Sequence, residues 1–140
     1  MDVYARNFIR VSLICLVLGL VMGLGMVMHP AMIAYRPVHV HLLLLGFMTN
    51  MVFGVGYHII PRFQGYAVIP RGAATLHLYL STVGLALMIA GWLLGHGTGG
   101  RVSAPPGFLL FLGSLAVMAG VGVFLVIIWR RLVPAQRKAV

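Results

Sequence analysis

Six histidines stand in a chain with little other polar chemistry, and three of them lie in one apolar stretch, Arg36 to Phe63. His39 and His41 stand near its start and His58 near its end. A neutral imidazole is the usual nitrogen ligand of haem iron, copper and zinc. It also costs more than an alkyl side chain to place in hydrocarbon, so an intramembrane histidine is a functional candidate by default. His39 and His41 are two residues apart, which turns them about 200° from one another at about 100° per helical residue. One helix therefore cannot offer both to a single metal, but each can reach a different metal on its own side. Leu43, Gly46, Asn50, Phe53 and Tyr57 follow His39 at helical spacing, a small residue and polar groups where a flat macrocycle could lie. Arg36 precedes His39 by one turn, placed to meet a carboxylate. Spacing alone is equally consistent with two interfacial histidines bonded to water and lipid head groups.

The remaining candidates are weaker. His58 and His77 share one half of the membrane and could form a second metal or proton site, although a hydrogen-bonded pair or two unrelated interfacial residues is the commoner arrangement. His29 and His96 end helices and are expected to be solvated. Met22, Met26, Met28 and Met32 cluster around His29. Thioether plus imidazole suits Cu(I), while flexible methionine filling a helix interface is the more frequent use. Asn50 is expected to bond across helices. Asp2 is the one acid in the chain, which excludes paired-carboxylate hydrolysis, a Ser/His/Asp triad and carboxylate-bound metal within the membrane. No glycine-rich phosphate loop is present.

These residues must be held by membrane helices. Of 140 residues, 61% are hydrophobic and 8% charged, and the mean hydropathy is +1.06. Four apolar segments, about 7–28, 37–60, 73–94 and 106–129, are each long enough for about 30 Å of hydrocarbon. The expected fold is therefore all-α, a single four-helix transmembrane domain over 1–140, since four short apolar segments cannot close a β-barrel. The first segment is longer than a signal-peptide core and lacks a small-residue cleavage site, so it is expected to be retained. The net charge of +9 comes from bases lying between apolar segments, which points to anionic lipid head groups and cofactor carboxylates, not nucleic acid. Arg6, Arg10, Arg62, Arg71, Arg130, Arg131, Arg137 and Lys138 fall on one side, Arg36 and Arg101 on the other. The positive-inside rule then puts both termini in the cytoplasm.

Depth restricts ligation. His39 and His77 of one chain are expected about 20 Å apart along the membrane normal at 1.5 Å per residue, too far to share one iron with bonds of about 2.1 Å. Glycines such as Gly19 and Gly23 predict close helix contacts, within or between protomers. The lone cysteine, Cys15, is expected to pack, and no C-x-x-C-H attachment motif is present.

The stretch Arg36-Pro37-Val38-His39-Val40-His41, with the run ending Tyr57-His58-Ile59-Ile60-Pro61-Arg62, resembles the second transmembrane helix of the catalytic subunit of the haem–copper oxidase superfamily, which includes cytochrome c oxidases and nitric oxide reductases. There the motif reads approximately R-P-x-H-x-N. The resemblance implies that His39 is an axial ligand of a low-spin haem near the outer side. His41 departs from the motif, because an H-x-H pair belongs to the family's tenth helix, where its two histidines serve two haems. The other eight helices are missing, and with them the copper-binding histidines and the tyrosine of oxygen reduction. The chain is also similar to small stand-alone subunit I-like proteins, through His39-Val40-His41-Leu42-Leu43-Leu44-Leu45-Gly46 and Leu76-His77.

The oxidase subunit has twelve helices in three arcs of four about a pseudo-threefold axis. The resemblance therefore implies that this chain is one arc and that a homotrimer rebuilds the architecture, with His39 of one copy facing His41 of the next. The expected function is non-covalent haem b binding with bis-His ligation between protomers, for electron transfer or redox or gas sensing, in the inner membrane of a prokaryote, with a redox protein or quinol as partner. His39 and His41 are the expected iron ligands, Arg36, Asn50 and Tyr57 the expected cofactor contacts. The alternatives are copper binding or trafficking through Met26, Met28 and His29, and a structural or assembly subunit.

Overall fold

The computed structural model of the protein describes residues 2–63, 69–95 and 104–132. His96, Arg101, Arg137, Lys138 and the glycine-rich third connection lie outside the described residues. Every described element is helical. In order these are α1 (Val3–Met28), a 3-10 turn (Pro30–Tyr35), α2 (Arg36–His41), a π segment (Leu42–Thr49), α3 (Asn50–Phe63), α4 (Arg71–Gly95) and α5 (Ala104–Leu132). Four spans, Val3–Met28, Pro30–Phe63, Arg71–Gly95 and Pro106–Arg130, are long and apolar enough to cross a membrane. The all-helical, four-span expectation is met.

Proline and charge account for the boundaries. His29 ends α1 in an extended conformation, as a residue before proline favours, and its N–H bonds to the Gly25 carbonyl at 2.9 Å. Pro30 and Pro37 occupy first turns, where a missing N–H costs nothing. The helices extend past the expected apolar windows because backbone hydrogen bonding continues through polar helix formers such as Arg6 and Arg71. One departure from a plain helix was not visible in the sequence. Between Leu42 and Thr49 the second span widens to π geometry, and the Thr49 hydroxyl donates to the Leu44 carbonyl, 2.8 Å away and five residues back. Such widened turns recur at functional sites, and this one begins directly after His41.

Two antiparallel pairs make up the molecule. α1 runs along the second span through a ladder of small residues. Gly54 lies against Ala5 and Phe8, Gly46 against Cys15, Leu43 against Gly19, and His39 against Gly23. The expected close approach at Gly19 and Gly23 is thus realised within the chain, and Cys15 is a buried packing residue. α4 and α5 pack at backbone contact. A methyl group at Gly113 would stand 2.6 Å from the Gly84 carbonyl oxygen, and one at Gly84 would stand 2.8 Å from that of Gly113.

Two core clusters join the pairs. Cys15, Val38, Leu42 and Leu85 form one, with Met22 and Trp92 packed against it. Tyr4, Phe8, Phe53, Tyr57, Ala74 and Ile127 belong to the other. That second cluster brings the start of α1, the end of α3, the start of α4 and the end of α5 to one end of the molecule. Arg6, Arg62, Arg71 and Arg130 accompany it there, and Arg36 belongs to the opposite end. The outward faces are apolar, with Val17, Val21, Leu24 and Val27 exposed along α1, a surface suited to lipid and not to water.

Candidate functional site

The hydrogen bonds of the histidines divide them into two kinds. His39 projects from α2 into the gap left by Gly23 of α1, where a methyl group would stand 3.0 Å from its Cε1. Its Nδ1 lies 2.9 Å from the Gly19 carbonyl oxygen. His41 turns the other way, toward α4, with its ring centroid 6.3 Å from that of Trp92, and its Nδ1 lies 2.7 Å from the Pro37 carbonyl oxygen. A carbonyl only accepts, so in both residues Nδ1 carries the proton and donates. The neutral ring then holds its lone pair on Nε2. Among the described residues, neither Nε2 has a hydrogen-bond partner and neither is enclosed.

His58 and His77 hold the opposite form. Arg62 donates through Nη1 to His58 Nδ1 at 2.7 Å and also to the His58 carbonyl, which occupies the Nδ1 lone pair and leaves the proton on Nε2. His77 is fully buried, and its Nδ1 lies 2.8 Å from the equally buried Tyr57 hydroxyl. If Tyr57 donates, one buried hydrogen, on His77 Nε2, goes without a partner. With the donor reversed, the phenolic hydrogen and the Nε2 lone pair would both be stranded, so the first arrangement wins. Phe8, Phe53 and Phe124 enclose the imidazole, with ring centroids 4.8, 4.4 and 5.7 Å from it. His77 is thus built into an aromatic core, while the partly exposed His58 is tied to its own helix.

Depth separates His39 from His77 as expected. One sits at Gly19–Gly23 of α1 and the other beside Phe8, at least about 16 Å apart at 1.5 Å per residue. Among the described residues no three His, Cys, Asp or Glu side chains are grouped as a metal site. Among the described residues, neither His39 nor His41 belongs to such a group.

The face expected to receive a macrocycle is filled by protein. Leu43, Gly46, Phe53 and Tyr57 pack within the chain. Asn50 is buried, with Nδ2 donating to the Gly46 carbonyl at 3.1 Å and Oδ1 without a partner. It bonds within its own span, not across helices as the sequence suggested. Arg36 is exposed at the start of α2, three residues before His39. Of the methionines near His29, Met22 packs on the Val38–Leu42 cluster and Met32 lays its sulfur over Gly25, while Met28 and His29 are exposed.

The Tyr57–His77 bond and the approach of Trp92 to His41 escape sequence reasoning, because no spacing rule links residues on separate helices. Comparison with protein-family models, curated proteins and solved structures finds no match to this chain.

Proposed function

We propose that this chain binds haem b non-covalently in a membrane through His39 and His41, and that it carries electrons. The reading rests on one observation. Of the four histidines with described hydrogen bonds, only His39 and His41 have Nδ1 donating to a backbone carbonyl and an open Nε2. A carbonyl that accepts from one imidazole nitrogen in this way fixes the ring and orients its other nitrogen toward a metal. A lone pair on Nε2 without a partner costs free energy wherever water is excluded, and a metal relieves that cost.

The two rings face α1 and α4, opposite sides of α2, so each serves a different iron. The second ligand of each then comes from a neighbouring copy, which favours the threefold assembly implied by the resemblance, with Arg36 beside a haem propionate. Haem b held by His39 and His41 would supply a one-electron couple, the chemistry of an electron carrier. The Arg-rich end of the molecule, with both termini, faces the cytoplasm by the positive-inside rule, and the setting is a prokaryotic inner membrane.

The test is an optical spectrum of the detergent-purified protein, oxidised and then dithionite-reduced, for wild type, His39→Ala, His41→Ala and His58→Ala. Sharp reduced Soret and α bands are expected in wild type and His58→Ala and lost in the other two. A colourless wild type made with ample haem overturns the reading, and copper retention dependent on Met26, Met28 and His29 would replace it.

A further inference from the structure

At the end where α1 begins and α5 finishes, the start of α4 and the end of α5 leave between them a groove of about 770 Å³. Pro70 and Ala73 form one side, Gly122, Val123 and Val126 the other, and Arg130 stands at its end. The floor is open at Gly122, because a side chain there would meet nothing within 4 Å. From Gly122 to Arg130 the groove extends about 12 Å at 1.5 Å per residue, so an apolar channel ends in a guanidinium at the edge of the apolar span.

We infer that this groove binds an anionic phospholipid, one acyl chain lying over Gly122 and Val126 and the phosphate meeting Arg130. Charge selects the occupant. The chain has one acid, Asp2, and Asp2 lines a different pocket with Arg71 and Tyr79. Among the described residues no acid lines the groove with Arg130, so its anion is taken from a bound head group. A second copy does not supply it, since its one acidic side chain, Asp2, already lies with Arg71 in the pocket at the start of α1. A soluble anion gains nothing from the apolar walls, and haem would find no histidine, cysteine or methionine among the lining residues. Basic grooves between membrane helices at the cytoplasmic side bind anionic head groups by this combination.

The experiment is native mass spectrometry of the full chain in detergent, titrated with phosphatidylglycerol or phosphatidylcholine, with inorganic phosphate as control. Wild type is expected to retain phosphatidylglycerol about fivefold more strongly than phosphatidylcholine, the contribution of one interfacial arginine, and to retain no phosphate. Arg130→Gln removes the preference between the lipids. Gly122→Leu, which fills open space, lowers retention of both while leaving the helix content unchanged. Equal retention of the two lipids by wild type overturns the inference, as does undiminished lipid retention by Gly122→Leu. A change of oligomer mass in Gly122→Leu, with lipid retention unaltered, assigns the groove to a second copy instead.

Discussion

Tyr57 and His77, twenty residues apart in the chain, are joined by a 2.8 Å hydrogen bond inside a cage of aromatic rings, with neither side chain exposed. The bond ties α3 to α4 at the end where all four spans converge. Its energetic role follows from what each partner would lose. Tyr57→Phe leaves His77 Nδ1 buried without a donor, at a cost of about 1–3 kcal/mol. His77→Phe in the same chain removes both imidazole nitrogens, including the unpartnered Nε2, and puts a ring among Phe8, Phe53 and Phe124. The double variant is therefore expected to recover at least half of the stability lost in Tyr57→Phe. Thermal unfolding in detergent micelles measures this, and a double variant weaker than the sum of the singles would show that the pair is more than a satisfied buried contact.

Glycine substitutions in α5 should separate by position. Gly113→Ala forces a methyl group to within 2.6 Å of the Gly84 carbonyl, which neither backbone can yield, and overpacking of this kind costs about 1–3 kcal/mol. Gly122→Ala meets open space and gains up to about 1 kcal/mol in helix propensity. The first is expected to lower the unfolding midpoint and the second to hold or raise it. Equal effects would mean that α4 and α5 do not cross at Gly84 and Gly113.

Asn50→Leu is expected to leave stability unchanged or improved. The bond from Nδ2 to Gly46 is worth about 0.6 kcal/mol if it resembles the average hydrogen bond measured in membranes. The unpartnered Oδ1 costs about 1–3 kcal/mol, so its removal outweighs the bond. A loss beyond about 1 kcal/mol in the unfolding assay would reveal a partner for Oδ1 outside this chain.

The sequence was most informative where one physical rule dominates. Twenty or so apolar residues in a row admit a helix and little else, so all four spans and the opposed facing of His39 and His41 could be read directly. The face from His39 to Tyr57 was harder. Helical spacing correctly grouped its residues, but the same small and aromatic side chains suit a macrocycle or a neighbouring helix, and here α1 covers them. The π segment was hidden because Leu42–Thr49 is a plain apolar run whose side chains carry no signal of a wider backbone turn. The protonated nitrogen on each histidine was hidden too, since it is set by carbonyls such as Gly19's, contributed from another helix.

That last point yields the sharpest test of the ligand assignment. Gly23 is where α1 makes room for His39. A methyl group there stands 3.0 Å from Cε1, so the ring must swing aside by a few tenths of an ångström, and its Nδ1 then loses alignment with the Gly19 carbonyl. Gly23→Ala therefore attacks the orienting bond by displacing the His39 ring, and leaves both proposed ligands in the sequence. Disruption of such an outer partner typically weakens metal binding about 10–100-fold. Haem retention by Gly23→Ala is expected to fall within that range while helix content holds. Gly25→Ala is the matched control, since the group it crowds is the flexible thioether of Met32, with Sδ 2.9 Å away, and it should retain haem as wild type does. If Gly23→Ala retained haem equally well, the bond from His39 to Gly19 would be incidental and the iron would have to be sought elsewhere.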